Sequence, residues 1–219
     1  MFTHITKLKR HRNRYIQSHS HSCRNNKTYI QIKQTEAPVI RDATIPEIYL
    51  RPWSANDSQR LYELASDPDV GPRAGWSPHE SELESLFIIV NMFANPTTWA
   101  IVLSDTDELV GAMGYGPSCD CSLPARPNEP TVGYCIGKPY WGRGLCTSAL
   151  RMMISHIKRH TSIASLISGH FEDNPASGRV MEKCGFTATG ETVVDPSLYQ
   201  GEGHNIRVLR LEIQRIGSR

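Results

Sequence analysis

The residues best suited to chemistry lie in one run, 138–148, which reads Lys-Pro-Tyr-Trp-Gly-Arg-Gly-Leu-Cys-Thr-Ser. Gly142 and Gly144 flank Arg143, so the backbone there can take positive φ and approach a ligand with no Cβ in the way. The helix expected from Gly144 onward aims its free N–H groups and the positive end of its dipole at the same spot. Arg143 adds a fixed charge, and Thr147 and Ser148 offer hydroxyls in the first helical turn. That combination suits a phosphate. A triphosphate-binding loop is excluded, because it needs a four-residue spacer and a Gly-Lys-Ser/Thr ending; the Gly-x-Gly-x-x-Gly of a dinucleotide site is missing too. Taken alone, Gly-Arg-Gly fits a plain strand-to-helix turn equally well.

The elements that must position this turn follow from hydrophobic periodicity. Residues 47–53 alternate as a strand, and Ser54 caps a helix carrying Leu61, Leu64 and Ala65. Gly and Pro crowd 67–76, which reads as a loop, and Ser77-Pro78 opens a second helix to about Met92 with Leu83, Leu86, Phe87 and Val90 as its buried face. Two β-rich runs, 98–103 and 109–115, form a hairpin across the polar turn 104–108. After a proline-rich loop come a strand at 131–136, a helix from Gly144 to about His160, a strand at 164–171 and a short helix from Pro175 to Lys183. Two strands, 186–194 and 205–213, close the chain. The order β-α-α-β-β-β-α-β-α-β-β gives a mixed α/β fold, in which strand, crossover helix and strand make one parallel pair and the hairpins make the rest antiparallel.

Composition bounds the rest. The 219 residues allow one sizeable core. The net charge of +2 divides unevenly: residues 1–40 carry eight Lys and Arg against Glu36 alone, about +7, and the remainder is about −5. Residues 1–43 therefore read as a basic, disordered extension and 44–215 as the folded domain. A presequence, or an arm touching nucleic acid, are the alternative readings of that tail; nucleic acid is otherwise not expected. No run is long and apolar enough for a membrane span and no signal-peptide core follows Met1, so a cytoplasmic protein without a membrane partner is expected. The six cysteines form no CxxC pair, and Cys119-Asp-Cys121 reads as two reduced thiols rather than a metal site; no metal is expected. The chain is expected as a monomer or homodimer.

One strand beyond the phosphate turn lies a second cluster, 174–186, Asn-Pro-Ala-Ser-Gly-Arg-Val-Met-Glu-Lys-Cys-Gly-Phe. The two clusters together resemble the GNAT superfamily of N-acetyltransferases. There a Q/R-x-x-G-x-G/A turn follows the fourth strand and an Asn-x-x-Ser helix ends in Glu-Lys-x-Gly-Phe. The form here, Gly-Tyr-x-Ile-x-x-x-Tyr-Trp-Gly-x-Gly, looks like the branch of the RimJ and RimL ribosomal-protein N-terminal acetyltransferases. The resemblance spans roughly 47–213 and is strongest over 131–186. It implies a mostly antiparallel twisted sheet with one central parallel pair, helices on both faces, and acetyl-CoA as co-substrate. Two positions depart from the pattern: Trp141 stands for Gln or Arg, and Cys146 for the last Gly or Ala. Cys146 reads as small enough to be tolerated, a reactive thiol at a helix N-terminus being the alternative.

The resemblance also implies roles. Trp141, Gly142, Arg143, Gly144, Leu145, Cys146 and Thr147 hold the pyrophosphate. The backbone of Tyr134, Cys135 and Ile136, on a bulged fourth strand that splays from the fifth, grips the pantetheine and polarises the thioester oxygen. Asn174 bonds the pantetheine, cap the helix though it also can. The tyrosine that serves as acid in many members is Met181 here, so the serine of Asn-x-x-Ser, Ser177, becomes the candidate acid. A base must take the amine proton, and Glu129 and His170 are the candidates, with Glu172 and Asp173 as alternatives beside them; histidine is the side chain that titrates nearest neutral pH. The acceptor pocket is expected between the loop 69–82, with Arg73, Trp76 and His79, and the loop 195–204; Glu80, Glu82 and Glu84 could draw in a cation. The expected activity is acetyl transfer to a primary amine, a protein N-terminus first. A small-molecule amine (an aminoglycoside, polyamine or amino acid) and a non-catalytic acyl-CoA-binding module remain as alternatives.

Overall fold

The computed structural model describes residues 36–118, 123–195 and 204–214. Among the described residues seven strands form one sheet in the order β1-β2-β3-β4-β5-β7-β6, with β1 Ile48–Arg51, β2 Thr98–Leu103, β3 Leu109–Gly116, β4 Thr131–Ile136, β5 Ser165–Phe171, β6 Thr187–Asp195 and β7 His204–Glu212. Every pairing is antiparallel except β4 with β5. Each residue of β2 is buried, as a strand covered on both faces must be.

One face packs under helices α1 (Ser58–Ala65) and α3 (Glu82–Ile88), where Leu61, Leu64, Trp76, Ile88 and Phe93 meet Ala100, Val102 and Ala112. Between them lies a single turn of helix, α2 (Val70–Arg73), inside the stretch expected as loop. The other face packs under α4 (Leu145–His160), whose Leu145, Ala149, Leu150, Met152, Met153 and Ile157 recur at helical spacing and are buried. Helix α5 (Pro175–Glu182) contributes Met181 to the same core.

The entry to α1 follows its sequence signal. The Ser54 hydroxyl accepts from Asn56 N–H, and the Asp57 carboxylate accepts from Ser54 N–H at 2.8 Å while holding Arg51 with two 2.8 Å bonds. Helix α3 departs from expectation. It starts at Glu82, not at Ser77-Pro78, because Ser81 caps it by accepting from Glu84 N–H. Its inward face is Glu84, Ser85, Ile88 and Ile89, whereas Leu83, Phe87 and Val90, expected inside, are exposed; Leu83 is 74% exposed. The inward polar groups are satisfied locally: Ser85 Oγ lies 2.8 Å from His79 Nδ1, and Glu84 accepts from Glu80 N–H at 2.7 Å. A hydrogen-bonded polar face can be buried at little cost, and the π turn Ile89–Phe93 then shifts the register again.

Residues 36–43, which composition places with the extension, lie against the core. Ala37 and Ile40 are buried, Ile40 bridges to Leu50, and Trp99 Nε1 donates to Pro38 O at 2.8 Å. The remaining tail, 1–35, lies outside the described residues, as do the Cys119/Cys121 pair and most of the 195–204 loop. Among the described residues no helix is long and apolar enough to cross a membrane, and no three His, Cys, Asp or Glu side chains group as metal ligands.

Candidate active site

The phosphate-type turn has the geometry its glycines suggest. A 3-10 turn at Lys138–Tyr140 leads out of β4, and Gly142 and Gly144 then take φ of +76° and +78°, in the left-handed region that disfavours any side chain. A Cβ added at either would meet nothing within 4 Å, so the space above the turn is open. Gly144 is the N-cap of α4 and no described side chain caps this helix, which leaves the first amides of Leu145, Cys146 and Thr147 for a ligand. Open space, bare amides and a helix dipole fit a pyrophosphate. Arg143, between the two glycines, is not among the residues lining the cleft; its guanidinium lies 5.7 Å from the ring of Tyr140, which is.

The turn forms one end of a cleft of about 470 Å³. Its cause is a splay between β4 and β5, which pair only at Thr131 and Ile167. Ile167 N–H donates to Pro130 O and Ser168 Oγ to Val132 O, both at 3.0 Å, and beyond these the strands part. Gly133, Tyr134, Cys135 and Ile136 line one wall, and Ser168, Gly169 and His170 the other. The bulge expected in β4 is not there. Its register with β3 runs unbroken from Gly116/Thr131 to Gly111/Ile136, and the irregular pairings are β2 with β3 and β6 with β7. The cleft therefore opens by strand divergence alone.

Of the candidate residues, Tyr134, Cys135, Ile136, Trp141, Gly142, Gly144, Leu145, Cys146, Thr147, His170, Asn174 and Ser177 all line this cleft. Trp141 Nε1 donates to Ile136 O at 2.7 Å, tying the turn to the end of β4. Cys146 does not have the low pKa of a reactive thiol: burial, and then the neighbouring Cys135 and Cys184, push it well above the usual range. Burial likewise pushes Cys135 up to about 12 and Cys184 up to about 11.

Ser177, in the first turn of α5, has its hydroxyl 3.0 Å from the Tyr134 hydroxyl, which also donates to Ser177 O at 3.0 Å. His170 Nδ1 sits 2.8 Å from the Phe171 carbonyl, so this nitrogen carries a proton and donates, while Nε2 faces Gly178 of α5. Glu129 does not join them. It is buried, with side-chain exposure of 1%, and pairs with Arg210 at 2.8 Å. Burial alone would raise its carboxyl, but hydrogen bonds from Arg210, the Arg126 amide and Ser165 prevail and hold it below the usual range. A carboxylate so committed is a structural anion and not a base for the amine. Glu172 is exposed and paired with Arg207 at 3.2 Å.

The 69–82 loop is more ordered than its Gly and Pro content suggests. Trp76 and His79 are buried, their rings 5.1 Å apart, and Trp76 N–H donates to Gly71 O at 3.0 Å. A Cβ at Gly71 would come within 2.6 Å of Trp76 O, so the closed turn requires glycine at 71. The turn delivers Arg73 to the cofactor end of the cleft, its guanidinium 5.4 Å over the Trp141 ring, rather than to the acceptor side. Sequence reasoning missed this placement, and it missed the Tyr134 side chain, having assigned only the backbone.

Comparison with known proteins agrees with this geometry. The family described as "Acetyltransferase (GNAT) domain" matches residues 47–187. The uncharacterized N-acetyltransferase YoaA of Bacillus subtilis is 24% identical over 159 residues, 70% of this chain and 85% of that protein. A Salmonella typhimurium acetyltransferase, described as modifying the N-terminal serine of 50S ribosomal subunit protein L7/L12, superposes with a TM-score of 0.65 at 16% identity, covering 81% of this chain and 100% of its own. The microcin C7 self-immunity acetyltransferase MccE, solved with acetyl-CoA and AMP, gives 0.62 at 18% identity, with 76% and 93% covered. With a splayed β4/β5 pair over an anion-binding turn, and a family match across nearly two thirds of its length, the chain belongs to the GNAT family of acetyltransferases.

Proposed function

We propose that the protein transfers the acetyl group of acetyl-CoA directly to a primary amine, and that the amine is a protein N-terminus. The observation that carries the chemistry is a single cleft, open between β4 and β5, with the bare amides of α4 at one end and the Ser177 hydroxyl within it. The amides of 144–147 would hold the pyrophosphate, and the β5-facing edge of β4 over 134–136 the pantetheine and thioester oxygen. Bound acetyl-CoA supplies the activated acyl group. Asn174 orients the arm, Ser177 donates a hydrogen bond to the departing sulfur, and His170 Nε2 takes the amine proton. The protein N-terminus is supported by the likeness to the acetyltransferase described as acting on the N-terminal serine of L7/L12.

Release of free thiol from acetyl-CoA, followed against a panel of short peptides with unblocked N-termini, polyamines, aminoglycosides and amino acids, tests this reading. Turnover is expected with peptides, with acetate found on the α-amino group by mass spectrometry. Turnover confined to the small amines would replace the protein acceptor.

A further inference from the structure

Ser177 would be a poorly defined donor if left to itself. It lies in the first turn of α5, half-buried, and a serine hydroxyl there has three staggered positions and its own helix to bond to. What fixes it comes from the opposite wall of the cleft. The side chain of Tyr134 crosses from β4 to α5, and its one hydroxyl meets Ser177 twice, donating to the carbonyl at 3.0 Å and lying 3.0 Å from Oγ. Burial, first, and the neighbouring Cys146 raise the phenol far above its ordinary range, so it stays protonated and remains a donor. The site also lies in a low-dielectric setting, where such bonds are stronger than in water.

We propose that Tyr134 is the positioning residue for Ser177, and that the two hydroxyls form one donor chain aimed at the sulfur of the leaving thiolate. This rests on the reading of Ser177 given above. At rest the Tyr134 proton lies on the Ser177 carbonyl and the Ser177 proton points to the phenol oxygen. As the C–N bond forms and the C–S bond breaks, the electron pair of the C–S bond goes to sulfur. Ser177 O–H then turns to that sulfur, and Tyr134 O–H turns to the Ser177 oxygen. Neither residue loses its proton: the nitrogen, cationic once the C–N bond has formed, releases one proton to the base, and the thiolate takes one from water. An alcohol is too weak an acid to protonate a thiolate outright, so a two-hydroxyl chain that stabilises charge without ionising is the chemistry this pair can do.

The test is a double-mutant cycle with Tyr134→Phe, Ser177→Ala and both together, reading kcat, KM for acetyl-CoA and Tm. Each single change is expected to lower kcat about tenfold, the scale of one lost hydrogen bond to a charged group, with KM for acetyl-CoA within about twofold. The double variant is expected to be no slower than Ser177→Ala, because Tyr134 acts only through Ser177. Losses that multiply to about a hundredfold, or a Tyr134→Phe enzyme at wild-type kcat, would overturn the role of Tyr134 and leave Ser177 standing. A fall in Tm together with a rise in KM and unchanged kcat would make the phenol a strut between β4 and α5 only. Wild-type kcat in Ser177→Ala would overturn the reading of Ser177 itself.

Discussion

The amide of Asn174 donates to the Arg73 carbonyl at 3.0 Å, joining the start of α5 to the end of α2 across the mouth of the cleft. The oxygen of the same amide accepts from Ser177 N–H at 3.4 Å and caps α5. One side chain thus serves the helix and the clasp. Asn174→Ala is expected to lose both, costing about 1 kcal/mol in chemical denaturation for the cap. Asn174→Asp keeps the capping oxygen but not the donor, so stability should return while KM for acetyl-CoA stays raised, roughly fivefold for a lost bond of about 1 kcal/mol. Equal KM in Asn174→Asp and wild type would show that the clasp does not shape the cofactor site.

Arg73 stands over Trp141, one residue before the anion-binding turn, and its acidic neighbour Asp69 is taken by Lys138 at 2.5 Å. With acetyl-CoA bound as proposed, its guanidinium would be within reach of the phosphates. Arg73→Ala should raise KM for acetyl-CoA by about tenfold and leave KM for the amine alone. With acetyl-pantetheine, which lacks the pyrophosphate, the variant and wild type should behave alike. A defect that persists with acetyl-pantetheine would place Arg73 at the acceptor instead.

Glu129 and Arg210 predict stability rather than catalysis. Removing one partner of a buried pair strands the other, so Glu129→Gln should lose about 3 kcal/mol at pH 7 with kcat unchanged. The folded-state carboxyl is held below its unfolded value. Its contribution is therefore complete above the ordinary carboxylate range, about pH 4.3, and disappears as pH falls through the lowered folded value. Denaturation of both proteins from pH 7 down to pH 3 should show the gap closing at the acid end. A gap independent of pH would contradict the ion pair.

These outcomes also show what the sequence could reveal. The strands at 98–103 and 131–136 match their observed ends because β-rich runs between polar turns leave little freedom of register. The turn at Gly142 and Gly144 was legible for a local reason, since positive φ and a following helix N-terminus are properties of adjacent residues. The inward face of α3 was not. Leu83 and Phe87 have the right spacing, but the partners of Ser85 and Glu84 lie in the preceding loop and decide which face turns inward. The fate of Glu129 was hidden for the same kind of reason, because Arg210 lies 81 residues away in sequence and comes near only through Ile167 of β5, which pairs with Thr131 on one side and Arg210 on the other. Arg73 and the Tyr134 hydroxyl became cleft residues through contacts with Trp141 and Ser177, neither of them adjacent in the chain.

If acetyl-CoA lies over the turn at Gly142 and Gly144, a carboxylate introduced at Gly144 must meet it, and calorimetric titration of Gly144→Glu reads this. A Cβ at this position meets no protein atom within 4 Å, and the cost to the fold is the left-handed φ, about 1–2 kcal/mol. Placed where the pyrophosphate would sit, the carboxylate should abolish acetyl-CoA binding in a protein that still unfolds cooperatively, while wild type binds saturably. Wild-type affinity in the folded variant would contradict the assignment of the cofactor to this cleft.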